Sequence, residues 1–511
     1  MGGMTSTAPP TYDAIVIGSG FGGGVAALRL AESGRRVLVV EQGRRLTPAD
    51  LDAGAVSIRR LLWEPRIGLR GYFHQTLLRH VFFVAGVGVG GGSLVYAGVL
   101  LRPKAAFFEH PAWASTGVDW ARDLEPGYAE ASRRFRVQTN PTQGAQDDWL
   151  RATAAALGVE DTWGPTPQGI DFASCTSRGR CLSGCAVGAK TSVGQAYLDE
   201  AERHGARVLP ERTVTHVEAL AGGGYRVHAR GSLTRGVSET WTAPTVVLAA
   251  GVLGTTRLLL ASRDRYRTLP RVSAAAGTRV RTNSEAFVAI MQPDSSVDVS
   301  AGPTISSDFW PDPDTHVTNN RFPPSYGFMR WYMGPLVDGR DQRERRLRTL
   351  AAMVRDPAMG LRPLVARDWS RRVTMLTVMQ NVDSELRLEY RRTAGAWRIT
   401  TAIPPGGEAP PAYLPQAQAS ARAFAAASGG TAYGTLQESL LGKSATAHVL
   451  GGASVASDPT QGVVDPDHQV FGHPGLYVAD GAAVPANVGV NPSLTITAMA
   501  ERAMSRLAAS G

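Results

Sequence analysis

The feature that most constrains the fold is a glycine-rich turn between an apolar strand and a helix. Residues 12–17 form an apolar run that predicts a buried strand, and residues 18–23 follow in the pattern G-x-G-x-x-G. The next residues have helical periodicity, and a second apolar run, 37–40, ends at Glu41. Strand, glycine turn, helix, strand and acid together are the fingerprint of a dinucleotide-binding Rossmann unit. A glycine-rich turn that binds no ligand is the alternative.

Each glycine of this turn has its own physical role in holding a dinucleotide. Gly18 permits the tight turn, Gly20 lets the backbone approach a pyrophosphate, and Gly23 allows the helix to pack closely on the strand. The N-terminus of the helix offers N–H groups to the phosphates, and Glu41 is placed to accept hydrogen bonds from a ribose. The predicted nucleotide-binding residues of this unit are Gly18, Gly20, Phe21, Gly22, Gly23 and Glu41.

Length, composition and charge exclude several classes of function. The 511 residues are enough for two or three domains. The 53 basic and 44 acidic residues leave a net charge of +9, but the arginines are scattered, so nucleic-acid binding is not expected. Residues 1–12 lack the pattern of a secretory signal, which favours a cytoplasmic location. The uncharged run 81–101 contains six glycines, which favour a turn over a membrane-spanning helix.

Residues 86–92 form a second glycine cluster, which is followed by Ser93. It is not a P-loop because no Gly-Lys-Ser/Thr follows. Glycines at this density favour close approach of the backbone to a flat or charged group. The cluster therefore predicts a second ligand-binding loop.

With the N-terminal fingerprint, the sequence GVGGGSLV at 88–95 resembles the glucose–methanol–choline (GMC) oxidoreductase superfamily, in particular its bacterial cholesterol oxidase-like branch. The resemblance implies FAD as the cofactor, with loop 84–98 packed against the flavin. That branch often has Asn where this chain has Tyr96. The strand that contains Val217 lies beside the adenine in this family, so Val217 is expected to contact it. The loop residues that the resemblance implies as FAD contacts are Gly86, Gly90, Gly91, Gly92 and Ser93.

Two segments near the C-terminus match the family's catalytic contexts, H-x-L-G-G at His448 and G-V-N-P at Asn491. The resemblance implies that His448 takes the proton of a substrate hydroxyl and that Asn491 orients its oxygen. A neutral imidazole is available as a base near neutral pH. Pro492 begins a final helix whose dipole would favour negative charge on the flavin. Asp480 and Gly481 follow an apolar strand and are expected to meet the ribityl–phosphate part of FAD.

All three cysteines of the chain lie in one short segment, at Cys175, Cys181 and Cys185. The spacing lacks the fourth ligand of a structural zinc site. Two alternatives stay open: the thiolates hold a 3Fe-4S cluster, as in similar FAD-dependent glucose dehydrogenases of the superfamily, or they are structural thiols. Many cholesterol oxidase-like relatives have a four-cysteine version here, and Arg178 occupies the additional position.

The predicted fold class is α/β, a Rossmann-type FAD-binding domain with an inserted α+β substrate domain built on an antiparallel sheet. Strand-like runs alternate with proline-rich loops across 277–443, which favours such a sheet. We therefore expect 1–276, with the flavin loop and the cysteines, to form one domain together with 444–511. In cholesterol oxidases a catalytic glutamate precedes a Pro-x-Pro-like turn. The nearest match here is Asn320, which implies alcohol oxidation without isomerisation of a steroid double bond.

Residues 59–83 combine arginines with aromatic side chains. Such a mixture is typical of a lid over an apolar substrate or of a surface that touches a membrane, and an ordinary packed segment is the alternative. The aromatic residues are Trp63, Tyr72, Phe73, Phe82 and Phe83, and the arginines are Arg59, Arg60, Arg66, Arg70 and Arg79.

The leading functional hypothesis is FAD-dependent oxidation of the CH–OH group of a sterol-like or other bulky apolar alcohol, by hydride transfer to flavin N5. The electron acceptor is oxygen or an electron carrier. One alternative is a GMC dehydrogenase that passes electrons through the cysteine-held cluster to a carrier. Another is a GMC-fold lyase in which FAD is structural.

Overall fold

Five parallel strands from distant parts of the chain form the sheet that carries the N-terminal fingerprint. The computed structural model describes residues 11–234, 236–382 and 384–510, so the first ten residues of the segment examined for a targeting signal lie outside it. The sheet order agrees with the predicted Rossmann unit, and the C-terminal strand returns to the same sheet. Across the sheet the strands are Arg207–Leu209, Val37–Val40, Ala14–Ile17, Thr245–Leu248 and Leu476–Val478.

The helix after the glycine turn joins the two ends of the chain. Helix Phe21–Glu32 buries a face of small residues and packs on the C-terminal helix Ser493–Ala509. Between them, the Arg29 guanidinium donates to both carboxylate oxygens of Glu501, at 2.7 and 3.0 Å. The packing of these two helices holds the C-terminal segment beside the N-terminal βαβ unit. It thereby brings the predicted C-terminal site residues close to the glycine turn.

A seven-stranded antiparallel sheet forms the second layer, as predicted. Its central strand, Val373–Gln380, is buried along all eight residues because both faces are covered. Helices Ala145–Ala156 and Pro415–Ser428 cover one face, where Leu376 and Val288 pack, and the opposite face turns Met375 toward a cavity. In order, the strands are Met333–Pro335, Thr431–Thr435, Ala286–Met291, Val373–Gln380, Thr315–Asn320, Ser307–Asp312 and Gly164–Pro165.

The predicted domain boundaries at 277 and 443 stay predictions. The edge strand Gly164–Pro165 enters the seven-stranded sheet from outside that range. Smaller sheets complete the fold, one of Arg212–Ala219, Tyr225–Gly231 and Ser238–Ala243, another of Phe73–Leu77, Val81–Gly86 and Ser444–Thr446. The other helices of at least nine residues in the described ranges are Pro48–Val56, Glu125–Arg134, Gly251–Leu260, Gln342–Arg355, Pro357–Val365 and the 3₁₀ segment Pro324–Tyr332.

Two segments were considered for contact with a membrane, run 81–101 as a spanning helix and segment 59–83 as a surface. Run 81–101 is a strand and a glycine turn, and none of the described helices combines the length and hydropathy needed to cross a bilayer. In segment 59–83, Trp63, Tyr72 and Phe83 are buried, which agrees with an ordinary packed segment. Membrane contact through these residues stays a prediction.

Candidate active site

A cavity of about 490 Å³ lies between the parallel sheet and the seven-stranded sheet. Most of the predicted FAD and substrate residues line it, although they come from five separate parts of the chain. These are Gly18, Gly20, Phe21, Gly22, Glu41, Gly86, Gly91, Gly92, His448, Asp480, Gly481, Asn491 and Pro492.

The glycines of the first turn are required by close backbone contacts. Gly18 has φ +101°, and a Cβ there would lie 2.2 Å from the carbonyl oxygen of Ala249. A Cβ at Gly22 would lie 1.4 Å from the carbonyl oxygen of Ala479. At Gly20 the nearest atom would be 3.8 Å away, so this glycine leaves open space beside the cavity. The turn therefore has the shape of a cradle that a dinucleotide can approach.

Glu41 ends the second strand at the cavity wall, as the fingerprint requires. One carboxylate oxygen accepts from the backbone N–H and hydroxyl of Ser19, at 3.1 and 2.7 Å, and the other accepts from Gly43 N–H at 2.8 Å. Burial raises the pKa of this carboxyl. The acid is held rigidly at the position where a ribose is expected.

The second glycine cluster packs directly on the first. Gly91 has φ +54°, and a Cβ there would lie 2.6 Å from the Cα of Gly20. Gly90 and Ser93 do not line the cavity; the Ser93 hydroxyl donates to the Gly90 carbonyl and accepts from Val193 N–H. Gly90 and Ser93 therefore stabilise the conformation of the loop on the side that faces away from the cavity.

A buried lysine holds the flavin loop from its far side. The ammonium of Lys190 donates to the carbonyls of Ser93, Leu94 and Tyr96, at 2.9 to 3.1 Å, and to that of Cys181 at 2.7 Å. Lys190 is almost fully buried, so these four carbonyls replace its water shell. The interaction ties the loop to the cysteine segment.

His448 is held by an acid that the sequence analysis did not single out. Its Nδ1 lies 2.6 Å from a carboxylate oxygen of Glu285, which is fully buried. The same carboxylate accepts from the Thr446 hydroxyl at 2.9 Å and from Ala447 N–H at 3.2 Å. A carboxylate oxygen that accepts this hydrogen bond makes Nδ1 the donor and leaves the lone pair on Nε2.

Asn491 faces the other ring nitrogen of His448. Its Nδ2 lies 3.2 Å from His448 Nε2, and its Oδ1 is buried with no hydrogen-bond partner. An unpartnered buried carbonyl is costly, so this oxygen is poised for a donor supplied by a ligand. The structure thus brings the two predicted catalytic residues together beside the cavity.

One short segment positions both predicted catalytic side chains. Asn283 bonds to the loop before Asn491 through Asn487, Gly489 and Val490, at 2.9 to 3.0 Å. Two residues later Glu285 bonds His448. Asn283 and Ser284 have φ of +59° and +45°, a conformation that is strained for residues with side chains. Such strain persists where surrounding contacts fix it, which is typical of functional sites.

Asp480 closes the cavity beside the last strand. Its carboxylate accepts from the Thr255 hydroxyl at 2.5 Å and from Gly251 and Ala482 N–H at 2.9 Å. Burial raises its pKa to about 6. Asp480 therefore fixes the N-terminus of helix Gly251–Leu260 against the cavity.

The wall opposite the glycines is apolar and aromatic. Asn320, the residue matched to a family glutamate, lines it and donates to Met375 C=O and the Thr377 hydroxyl at 3.2 and 2.9 Å. The aromatic and methionine side chains of this wall are Phe73, Phe82, Phe287, Phe322, Tyr326, Phe328, Met329, Tyr332, Met333 and Met375.

Val217 and Gly23 also lie away from the cavity. Val217 N–H donates to Ser262, and Val217 C=O accepts from Thr268; the structure instead places Val214 of the same strand on the cavity wall. The pairing of this strand is irregular between Val214 and His216. Gly23 also lies outside the cavity and packs on the backbone of Gly18.

The three cysteines do not line the cavity and are free thiols. In the part of the chain that the structure describes, their sulfurs do not gather closely enough to share a single metal ion. Cys175 accepts from Ser177 N–H and Cys185 from Lys190 N–H, both at 3.4 Å, and burial raises the pKa of Cys181.

Glu285 is the functional residue that sequence reasoning missed. The available signal was an acid placed directly before an apolar strand, Ala286–Met291, where a charge needs a partner. Its partner His448 lies 163 residues away, so no local spacing connects them.

Comparison with known proteins places this site in a family. Family models described as GMC oxidoreductase match residues 5–263 and 366–500. The chain belongs to the GMC oxidoreductase family. GMC oxidoreductases bind FAD, and the glycine cradle, buried Glu41 and open face at Gly20 fit that cofactor.

Two relatives match nearly the whole chain. A cholesterol oxidase from Mycobacterium tuberculosis is 38% identical over 528 residues, covering 97% of this chain and 91% of that protein. A cholesterol oxidase from Acinetobacter baumannii is 35% identical, covering 98% and 94%. As a member of this family the chain is an FAD-dependent alcohol oxidoreductase.

Solved structures agree on the fold. A pyridoxine 4-oxidase from Mesorbium loti has a TM-score of 0.66 at 15% identity, covering 97% of this GMC chain and 98% of that one. A formate oxidase has a TM-score of 0.66 at 13% identity, covering 99% of both. At this identity the likeness concerns architecture alone.

Proposed function

We propose that this protein oxidises the hydroxyl group of a sterol-like alcohol to a ketone, with dioxygen as the electron acceptor. The observation that carries the proposal is His448, held between Glu285 and Asn491 at the edge of an apolar, aromatic-walled cavity. The cholesterol oxidases at 35–38% identity support a sterol as the substrate.

The polar groups define where the substrate hydroxyl binds. His448 Nε2 accepts the hydroxyl proton, because Glu285 keeps the other nitrogen protonated and stabilises the imidazolium that forms. Asn491 has an unpartnered buried oxygen beside this nitrogen, and its amide group orients the substrate oxygen. When bound, FAD supplies the acceptor for the hydride that leaves the alcohol carbon.

The C-terminal helix contributes a favourable field at the same point. Helix Ser493–Ala509 has seventeen residues and begins at the cavity wall, directly after Asn491 and Pro492. The partial positive charge of its N-terminus favours negative charge that develops nearby during the reaction. The site thus combines a base, an orienting amide and a positive helix end.

The apolar wall favours a bulky substrate body and no second acid–base step. Aromatic rings and methionines can cover fused alicyclic rings without polar partners. Asn320 occupies the position matched to the isomerising glutamate and cannot move a proton as a carboxylate does. The product expected is the ketone with its double bond unmoved.

The acceptor is proposed as dioxygen, and the cysteine cluster is the alternative route for electrons. Two of the free thiols accept hydrogen bonds from backbone N–H groups, Cys175 from Ser177 and Cys185 from Lys190. A bound 3Fe-4S cluster would instead support transfer to a carrier. Iron and acid-labile sulfide in the purified protein would favour that dehydrogenase alternative.

The test is anaerobic mixing of the FAD-loaded protein with a 3β-hydroxysterol in detergent micelles. We expect the flavin absorbance to bleach, to return when air is admitted, and to be unaffected by the matching 3-ketosteroid. Absence of bleaching across sterols and long-chain alcohols would contradict the proposal and favour a lyase with structural FAD. Bleaching that air does not reverse would favour a carrier over dioxygen.

A further inference from the structure

A second cavity, of about 390 Å³, lies at the surface, away from the active-site cavity. One side of it comes from segment 59–83, and the other comes from the connection between strands Tyr225–Gly231 and Ser238–Ala243. None of the described residues lines both cavities. The volume of the second cavity is within the ~300–1,000 Å³ that is common for small-molecule sites.

Three arginines, Arg66, Arg70 and Arg230, line this second cavity, and no acid is among the described residues that line it. All three are exposed, and within the described ranges their guanidinium groups have no ion-pair or hydrogen-bond partner. By contrast, Arg212, in the same sheet as Arg230, forms an ion pair with Glu239 at 2.8 Å. Like charges around one cavity repel one another, and a bound anion would relieve this repulsion.

The connection between the two strands is held in a compact conformation beside the arginines. Gly231 N–H donates to Val237 C=O at 3.1 Å, and a Cβ at Gly231 would lie 2.4 Å from the carbonyl oxygen of Thr234. The hydroxyl oxygen of Ser232 lies 2.8 Å from that of Thr213. Ser232 and Thr234 both line the second cavity. The connection therefore places two hydroxyl-bearing residues next to the guanidinium groups.

Guanidinium and hydroxyl groups around one cavity are typical of a site for phosphate. The planar guanidinium fork matches two oxygens of a phosphate group, so three guanidiniums can hold more than one such group. A cavity of about 390 Å³ also has room for more than one phosphate group. A nucleic-acid backbone fits less well, because the arginines of the chain are scattered and form no continuous basic stripe.

The phosphates of FAD do not account for these arginines. Gly20, which is expected to approach the pyrophosphate of FAD, lines the active-site cavity. Thr213, whose hydroxyl contacts that of Ser232, lines the active-site cavity beside Arg212 and Val214. The second cavity therefore lies behind the wall where the adenosine part of FAD is expected, and its own ligand would be a different molecule.

We propose that the second cavity binds a small compound that carries two or more linked phosphate groups. The residues that hold this ligand are Arg66, Arg70, Arg230 and Ser232, which we call the arginine pocket. Linked phosphate groups occur in soluble compounds and in lipid headgroups, and the experiment below separates these two sources. The binding is independent of the proposed function, because oxidation of an alcohol gives these arginines no role.

The test is isothermal titration calorimetry of the FAD-loaded protein with inorganic pyrophosphate, in a dilute buffer without phosphate. Inorganic phosphate, a single-stranded oligonucleotide and vesicles of phosphatidylcholine with phosphatidic acid are compared with pyrophosphate. The variants are Arg70→Gln, Arg230→Gln and the two combined. The matched control is Arg343→Gln, at another exposed arginine that has no ion-pair partner among the described residues. Thermal unfolding and the flavin spectrum check that each variant is folded and holds FAD.

We expect the wild type and Arg343→Gln to bind pyrophosphate with equal affinity, and to bind inorganic phosphate more weakly. Each single variant should bind pyrophosphate about tenfold more weakly, which is the scale of one charge-assisted hydrogen bond, and the double variant about 100-fold more weakly. Pyrophosphate should raise the unfolding temperature of the wild type more than that of the double variant, because a ligand stabilises the state that binds it.

No binding of pyrophosphate by the wild type, or equal binding by the wild type and the double variant, would overturn the proposal. So would equal losses in Arg343→Gln and in the pocket variants, which would indicate a general attraction of anions to a basic protein. Arginine-dependent binding of the oligonucleotide without binding of pyrophosphate would assign the arginines to a nucleic acid and would also overturn it. Arginine-dependent binding of both pyrophosphate and the vesicles would support a lipid headgroup as the source, and binding of pyrophosphate alone would support a soluble compound.

Discussion

The two walls of the active-site cavity are made in different ways. The cofactor wall is shaped by close-packed backbone, because at Gly18 and Gly22 a Cβ would lie within 2.2 Å of a neighbouring carbonyl oxygen. The catalytic wall is formed by hydrogen-bonded side chains, namely Glu285, His448 and Asn491. The first wall leaves no room for a side chain at Gly18 and Gly22, and the second depends on which functional groups are present. Substitutions on the two walls should therefore fail differently, one in cofactor affinity and the other in rate.

The largest effect is expected on the catalytic wall from His448→Ala. Losing the base should slow anaerobic flavin reduction by about 10³-fold, within the range typical of general bases. FAD binding should persist, because His448 is not part of the glycine cradle. Stopped-flow absorbance measures the rate, and the flavin spectrum of the purified variant reports occupancy. Unchanged reduction kinetics would remove His448 from the mechanism.

Glu285→Gln should slow flavin reduction by about 10²-fold, since a neutral amide neither fixes the Nδ1–H tautomer nor stabilises the imidazolium. The loss should appear in kcat, with KM little changed, and Glu285→Asp should recover part of it. The matched control is Glu438→Gln, a buried acid that hydrogen-bonds Phe287 N–H in the same sheet. A loss in Glu438→Gln as large as in Glu285→Gln would show that burial of an acid, rather than contact with His448, is what matters.

The cofactor wall is tested by a pair of glycine variants. Gly20→Ala should keep the fold, because its Cβ would be 3.8 Å from the nearest protein atom, and should weaken FAD binding by about tenfold or more through overpacking. Gly22→Ala should destabilise the protein itself, since its Cβ would lie 1.4 Å from Ala479 C=O. Thermal unfolding without FAD and titration with FAD separate the two outcomes. Equal FAD affinity in Gly20→Ala and wild type would mean that the cofactor does not approach this turn.

A pH dependence of stability is expected beneath the catalytic wall. Burial raises the pKa of Glu438 from an ordinary value of 4.5 to about 7. Between these values the folded protein holds a proton that the unfolded chain releases, so the free energy of unfolding falls as pH rises through this window. Glu438→Gln should remove that fall and be relatively more stable than wild type at pH 8 than at pH 5. Denaturant unfolding at both pH values measures it, and parallel pH dependences would contradict it.

The cofactor wall was predictable because its requirements are local. A glycine needed for a tight turn or a close approach leaves its mark at that position, so the predicted residues at 18–22 and 91–92 do line the cavity. Val217 does not line the cavity, whereas Val214 of the same strand does, and the strand is irregular between Val214 and His216 in a way that the sequence does not reveal.

The catalytic wall was predictable only where a family motif contained the residue. His448 and Asn491 stand in such motifs, but Glu285 meets His448 across 163 residues, and only the folded chain shows the pair. The orientation of helix Gln342–Arg355 could not be predicted from its sequence either. Periodicity shows that Leu347, Leu350 and Val354 share a face, but it does not show whether that face points to the core or to solvent. Long-range packing decides both.

The most direct test of the catalytic wall is a double-variant cycle on the rate of anaerobic flavin reduction by a 3β-hydroxysterol. If Glu285 acts only by holding His448, then His448→Ala with Glu285→Gln should be no slower than His448→Ala alone. Losses that multiply, so that the double variant is slower by the product of both single effects, would show that Glu285 acts independently and would contradict the account.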